Sequence, residues 1–258
     1  MKEREMWRQG LGGRGKKKPW KGVFGKTCAA LVELLYPSHC PVCDRVLPFG
    51  KQICPACRGH LQPIREPWCM KCGKKLSGEG EYCGDCTRRE HAFVRGRAMY
   101  EYSSVAASIY RFKYRGRREY TAFFGQEIVA GLGDFIREIA PDGLLPVPLH
   151  PARMAARGYN QAELLARDIG RRLGIPVYGK LVCRVRNTRP LKQLNPKERQ
   201  NNLKRAFNMP ANDVKLKKII VIDDIYTTGS TMDAVAEVLL AGGVQDVYFI
   251  TLACGAGV

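Results

Sequence analysis

KIIVIDDIYTTGSTMD, residues 218–233, is the stretch on which the fold turns. Four consecutive apolar residues, Ile219 to Ile222, form a run too short for a helix, bounded by charge. They are expected to form a strand buried on both faces, as in a parallel sheet. Asp223 and Asp224 stand at its carboxyl end, where open α/β sheets bind their ligands. Thr227, Thr228, Gly229, Ser230 and Thr231 follow, leading into a helix. Gly229 permits a tight turn and close approach of backbone to a ligand. Amides at a helix N-terminus favour an anion, and four hydroxyls add donors. The turn is thus a cradle for a terminal phosphate. The two carboxylates suit a neighbouring diol, because ionised Asp accepts hydrogen bonds from hydroxyls. A phosphate beside a diol describes ribose 5-phosphate. A magnesium-binding ATPase strand has a similar acidic end but needs a phosphate loop. The nearest match, Gly10 to Lys16, has Lys17 where Ser or Thr is required and no strand before it. A plain helix cap requires neither the glycine nor the two acids.

The elements around this stretch alternate. Strands are expected at 93–102, 144–149, 177–185, 217–224 and 247–253, and helices at 105–112, 120–139, 160–173 and 230–240, the last ended by Gly242 and Gly243. A polar, basic loop with Pro190, Pro196 and Pro210 fills 186–213. Such alternation implies a parallel sheet with helices on both faces.

Upstream lies an internal repeat. Cys40, Cys43, Cys54 and Cys57 are spaced C-x2-C-x10-C-x2-C, and Cys69, Cys72, Cys83 and Cys86 repeat that spacing. Thiolates are soft anionic donors suited to zinc, and two Cys-x-x-Cys turns complete a tetrahedron. Two structural zinc sites follow. Sequential pairing, each repeat closing its own site, agrees with the repeat; interleaved pairing is the alternative. Gly73 follows a cysteine as a knuckle turn prefers. A secreted disulfide scaffold fits poorly with metal-ligand spacing and no export signal, and tandem redox motifs would need strands leading into them. His39, His60 and His91 are read as surface or packing residues, and Cys28, Cys183 and Cys254 as packing residues.

The chain divides on this reading into a basic tail at 1–27, expected to be disordered, a cysteine-rich double zinc-ribbon module at 28–90 opening with a short helix at 28–36, and an α/β domain at 91–258. The net charge of +19, from 43 Lys+Arg against 24 Asp+Glu, favours an anionic partner, a phosphorylated small molecule or nucleic acid. No apolar run approaches the roughly 20 residues a membrane span needs, so no membrane insertion and a cytosolic location are expected.

VIDDIYTTGST (221–231) resembles the phosphoribosyl-pyrophosphate (PRPP) loop of type I phosphoribosyltransferases. With PSHCPVC (37–43), FKYRGRREY (112–120), LLPVPLHPARMAARGYNQAELLA (144–166) and RNTRPLKQLNPKERQNNLKRAF (186–207), the layout resembles the ComF/GntX family from about residue 28 onward. The resemblance implies the type I phosphoribosyltransferase fold, with its hood and flexible loop. It implies that Asp223 and Asp224 hold the ribose hydroxyls and residues 227–231 the 5-phosphate. Arg153 and Arg157 fall where the family binds pyrophosphate, with Lys113, Tyr114 and Arg115 as further contacts. The mobile loop would be 184–206, with Arg186, Thr188, Arg189, Gln193 and Arg199 as its polar candidates. Mg2+ would accompany PRPP. The family's role in natural transformation implies single-stranded DNA and competence helicase or DNA-processing proteins as partners. The acceptor is not legible. Beside an enzyme, the residues also fit a non-catalytic DNA-binding or regulatory protein that keeps the PRPP site as a sensor. A purine-operon-type regulator fits less well, since no helix-turn-helix segment is visible.

Overall fold

A computed structural model describes residues 37–185, 206–210 and 215–255; the expected tail, the helix at 28–36 and most of the loop at 186–213, Arg186 and Arg199 included, lie outside the described residues. In chain order the elements are α1 (Pro55–Arg58), α2 (Gly84–Arg88), β1 (Gly96–Glu101), α3 (Tyr102–Tyr114), α4 (Tyr120–Ile139), β2 (Gly143–Pro146), α5 (Pro151–Arg157), α6 (Gln161–Leu173), β3 (Cys183–Arg184), β4 (Phe207–Asn208), β5 (Lys218–Tyr226), α7 (Ser230–Ala241) and β6 (Asp246–Cys254). Four strands form a parallel sheet in the order β1-β6-β5-β2, with Leu145 beside Val221 and Asp223 beside Thr251.

The expected parallel sheet with flanking helices is therefore present. The residues of β5 alternate between two cores, as side chains on a strand must. Ile220 and Ile222 pack with Ile128, Leu165, Ile250 and Leu252, under α3, α4 and α6. Ile219 and Val221 pack with Phe249, Met232, Val235 and Leu239, under α7. Local signals end the helices as anticipated. The Asn160 side chain accepts from Ala162 N at 3.1 Å and caps α6, which stops at Gly174 with φ 72°.

One expectation needs correction. The strand at 177–185 does not form. Val177 makes a single bridge to Leu144, the chain turns at Gly179 and Lys180, and only Cys183–Arg184 pairs again, antiparallel to Phe207–Asn208. The turn pair breaks an apolar run that otherwise reads as extended. Conversely, α5 was not foreseen. It carries no buried residue, so it has no apolar period to read, and it starts at Pro151 with His150 accepting from Ala152 N.

Both sheet edges are covered. Beyond β1, the segment between the two cysteine repeats pairs across the edge: Ile64 N donates to Met99 O at 2.9 Å and Glu101 N to Gln62 O at 2.9 Å. Beyond β2, Leu144 N donates to Pro176 O and Tyr178 N to Leu144 O, both at 2.9 Å. Among the described residues no helix is long and apolar enough to cross a membrane.

Candidate functional site

The cysteines gather in two sequential clusters, Cys40/Cys43/Cys54/Cys57 and Cys69/Cys72/Cys83/Cys86, each with all four Sγ atoms within 4.8 Å of one another. A zinc tetrahedron with bonds of about 2.3 Å has edges of about 3.8 Å; Cys40–Cys54 at 3.7 Å and Cys72–Cys83 at 3.6 Å match it. The donor set and its dimensions fit structural zinc. The position after the second cysteine takes a left-handed backbone in both repeats, Asp44 at φ 62° and Gly73 at φ 73°. Gly73 has no substitute in its place: a Cβ there would lie 2.8 Å from Arg97 Cα and Gly96 O.

At the carboxyl end of the sheet, β5 carries Asp223 and Asp224 past the last residue of β2. Asp224 is buried and meets Lys113 Nζ, from the end of α3, at 2.5 Å. Burial alone would lower the Lys113 ammonium, but Asp224 and then Asp223 hold it above its ordinary value. Asp223 is pushed up to about 8, by burial first and by the Asp224 charge second, with Lys113 only partly opposing. The two acids set acceptors at the end of the sheet.

Lys113, Tyr114 and Gly116 from one side and Arg153, Ala156 and Arg157 of α5 from the other line a cleft of about 250 Å³. Arg157 lies over the Tyr114 ring at 5.0 Å and donates to Gln161 Oε1 at 2.6 Å. Asn160 Nδ2 donates to Val147 O at 2.9 Å, fixing the exit from β2. The structure thus brings Lys113, Arg153, Arg157, Asp223 and Asp224 to one end of the sheet.

The turn after β5 is seated rather than loose. Gly229 has φ 81° and precedes α7, whose first turn closes through Asp233 N to Gly229 O at 2.8 Å. Thr228 and Ser230 hydroxyls lie 3.1 Å apart. Among the described residues the amides of Thr227, Thr228 and Gly229 donate to no backbone carbonyl. Thr227 is exposed, Thr228 and Thr231 half-buried. The start of α7 therefore offers backbone donors.

Sequence reading missed Arg184, Arg89 and His91. Arg184 lies near both Arg153 and Asp223. Burial pulls its guanidinium down to about 10, the Arg153 charge adds to this, and Asp223 opposes it. Its place at the edge of the loop hid it. Arg89 and His91 reach the turn from far upstream, through contacts that span 141 and 142 positions, and no local pattern announces such a pairing. His91 is buried, the packing alternative of the surface-or-packing reading; what that reading lacked is its bond to Asp233.

Comparison with known proteins agrees with this architecture. Residues 31–87 match the family described as double zinc ribbon domain, and residues 159–256 match the phosphoribosyl transferase domain. Competence protein F of Haemophilus influenzae is 30% identical over 222 residues, covering 83% of this chain and 96% of that protein. Competence protein ComFC of Bacillus subtilis is 32% identical over 204 residues, covering 75% of this chain and 80% of its own. DNA utilization protein YhgH of Salmonella typhimurium is 28% identical over 220 residues, covering 83% and 96%. With a double zinc ribbon followed by a phosphoribosyltransferase domain, and this identity across nearly the whole of a competence protein, the chain belongs to the ComF/GntX family.

Proposed function

We propose that the protein is a phosphoribosyltransferase that binds PRPP with Mg2+ at residues 221–233 and serves the cytosolic handling of single-stranded DNA in competence. The observation that carries this reading is the pairing of Asp223 and Asp224 with a donor-rich Gly229 turn, beside a cleft walled by Lys113, Arg153 and Arg157.

In this reading Asp223 and Asp224 accept hydrogen bonds from the ribose hydroxyls. Thr227, Thr228, Gly229, Ser230 and Thr231 take the 5-phosphate through amides, hydroxyls and the start of α7. Lys113 holds Asp224 in place. Arg153 and Arg157, with Arg184 near Arg153, face the diphosphate, and Arg186 and Arg199, outside the described residues, are the loop's candidates for the same ligand. Displacement of pyrophosphate from the anomeric carbon builds positive charge on the sugar and negative charge on the leaving group. The acids favour the first and the arginines the second. Mg2+, which keeps several waters and binds substrate phosphates, would add charge at the leaving group. Among the described residues Lys113, Arg153, Arg157 and Arg184 set four cations near the two acids, a balance suited to a polyanion.

A second reading, a non-catalytic sensor or DNA-binding protein, draws support from the relatives' names, which speak of competence and DNA utilization rather than of nucleotide synthesis. Calorimetry tests the site. PRPP with Mg2+ should bind the wild type and not the Asp223→Asn, Asp224→Asn double variant, with the fold intact; equal affinity in both rejects it. A pyrophosphate-release screen against bases and nucleic acids separates enzyme from sensor. Single-strand binding should weaken steeply with salt, with a shallower slope when Arg14, Lys16, Lys17 and Lys18 are neutralised.

A further inference from the structure

The segment that leaves the second cysteine cluster runs directly under the phosphate turn. It starts one residue after α2, which carries Cys86. Arg89 and His91 both reach Asp233, in the first turn of α7. Arg89 Nη2 lies 2.9 Å from Asp233 Oδ2, His91 Nδ1 lies 3.0 Å from the same oxygen, and Ala92 N donates to Oδ1 at 3.1 Å. The Asp233 side chain is only 5% exposed and that of His91 is fully buried. A buried carboxylate with three donors is a fixed point. Arg89 also donates from Nη1 to Ser230 Oγ at 3.3 Å, and Ser230 in turn lies against Thr228.

The contact extends to the glycine at the centre of the turn. A Cβ on Gly229 would fall 2.7 Å from His91 Cε1 and 2.8 Å from the Tyr226 hydroxyl, so the turn is wedged between those two rings. The His91 ring is itself held, stacked on Phe93 at 4.7 Å, while Phe93 stands edge-on to Phe249 and Tyr226. Val94 N donates to Val247 O at 2.7 Å and fixes the strap to β6.

We infer that Arg89 and His91 are positioning residues for the phosphate turn: they act through Ser230, Gly229 and Asp233 to hold the 227–231 amides and hydroxyls in the shape that receives a terminal phosphate. This rests on the reading of that turn as the phosphate seat. Arg89 touches the turn's hydroxyl, and His91 sets the place of its glycine and of the carboxylate beneath it. An anion site built of backbone donors has little affinity unless its donors are held converged in advance, and this chain holds them with two side chains from the zinc module's exit.

The test uses the zinc-loaded full chain and calorimetry with three probes: PRPP with Mg2+, ribose 5-phosphate, and inorganic pyrophosphate with Mg2+. Arg89→Gln and His91→Leu should weaken PRPP and ribose 5-phosphate roughly tenfold, the scale of one hydrogen bond to a charged group. Pyrophosphate, which has no claim on the turn, should keep its affinity. His91→Asn, whose amide nitrogen replaces Nδ1 against Asp233, should restore most of the loss. Unchanged PRPP affinity in Arg89→Gln and His91→Leu overturns the inference, and so does a parallel loss for pyrophosphate, which would mean general damage. If His91→Leu fails to fold, the half-exposed Arg89→Gln decides alone. A wild type that binds neither sugar phosphate instead rejects the phosphate seat itself, and the inference with it.

Discussion

The two faces of the sheet are built on different terms. On one, Ile220 and Ile222 lie under α3, α4 and α6, and the first cysteine repeat attaches outside that layer. Its own core is small, Cys40, Leu47 and Cys57, with Cys43 exposed. It holds to the helices chiefly by a polar seam. Asp44 meets Arg117 Nε at 2.9 Å and the Tyr120 hydroxyl at 2.7 Å, Arg111 donates to Val42 O at 2.7 Å, and Arg58 pairs with Glu127 at 3.2 Å. On the other face, Cys69, Cys72 and Cys83 of the second repeat share one core with Val221, Tyr226 and Phe249. One spacing has thus produced an appended zinc site and an internal one. The acids divide in the same way. By alternation Asp224 belongs with the first face, where Lys113 meets it at 2.5 Å, and Asp223 with the second, where burial and the Asp224 charge hold its proton.

The strongest way to break this comparison is at the metal. Cys72→Ser should cost the unit at 38–258 on the order of 5 kcal/mol or its fold, because zinc and core fail together. Cys43→Ser should lose one zinc yet leave the main urea transition standing. Equal losses in urea unfolding, with zinc stoichiometry measured alongside, would erase the distinction. Next is Gly73→Ala, expected to cost about 3 kcal/mol from left-handed backbone plus overlap with Arg97; a cost below that of an ordinary surface change would show that the second knuckle has room.

Asp223 sharpens the contrast between the acids. Its folded-state value, about 8, lies above the ordinary 3.8, so the folded protein holds that proton more tightly than the unfolded chain. Stability of the ligand-free protein should therefore fall as pH rises from about 4 to about 8 and level off above that. Asp223→Asn removes this loss. It should be the more stable protein at pH 8, the gap closing toward pH 4; a gap independent of pH would contradict the assignment. The smallest effect is Asp44→Asn, which keeps a residue tolerant of φ 62° and removes only the seam's charge. It should cost about 1 kcal/mol, and less in high salt, as read from thermal melts at two ionic strengths.

Much of this was legible because it is local. Ile219 to Ile222, the twin acids and the glycine turn are consecutive, and the cysteine repeat favours the sequential pairing that the two clusters adopt. Lys113 and Arg157 came from family motifs, and both line the cleft. What escaped was non-local or without period. Arg89 and His91 meet Asp233 across the whole domain, α5 buries nothing that a period could show, and Arg184 owes its place to the turn at Gly179 and Lys180 that ended the expected strand. Sequence pattern reports burial along one element; it does not report which distant side chains share a carboxylate.

The segment joining the two cysteine repeats also guards against self-association. By pairing with Met99 and Glu101 it occupies the outer edge of β1, which would otherwise offer a row of unmet amides and carbonyls to the same strand of a second copy. A chain cut just before residue 91 would bare that edge. Such a fragment is expected to aggregate by strand addition, and so to fail in solution for a reason unrelated to its chemistry.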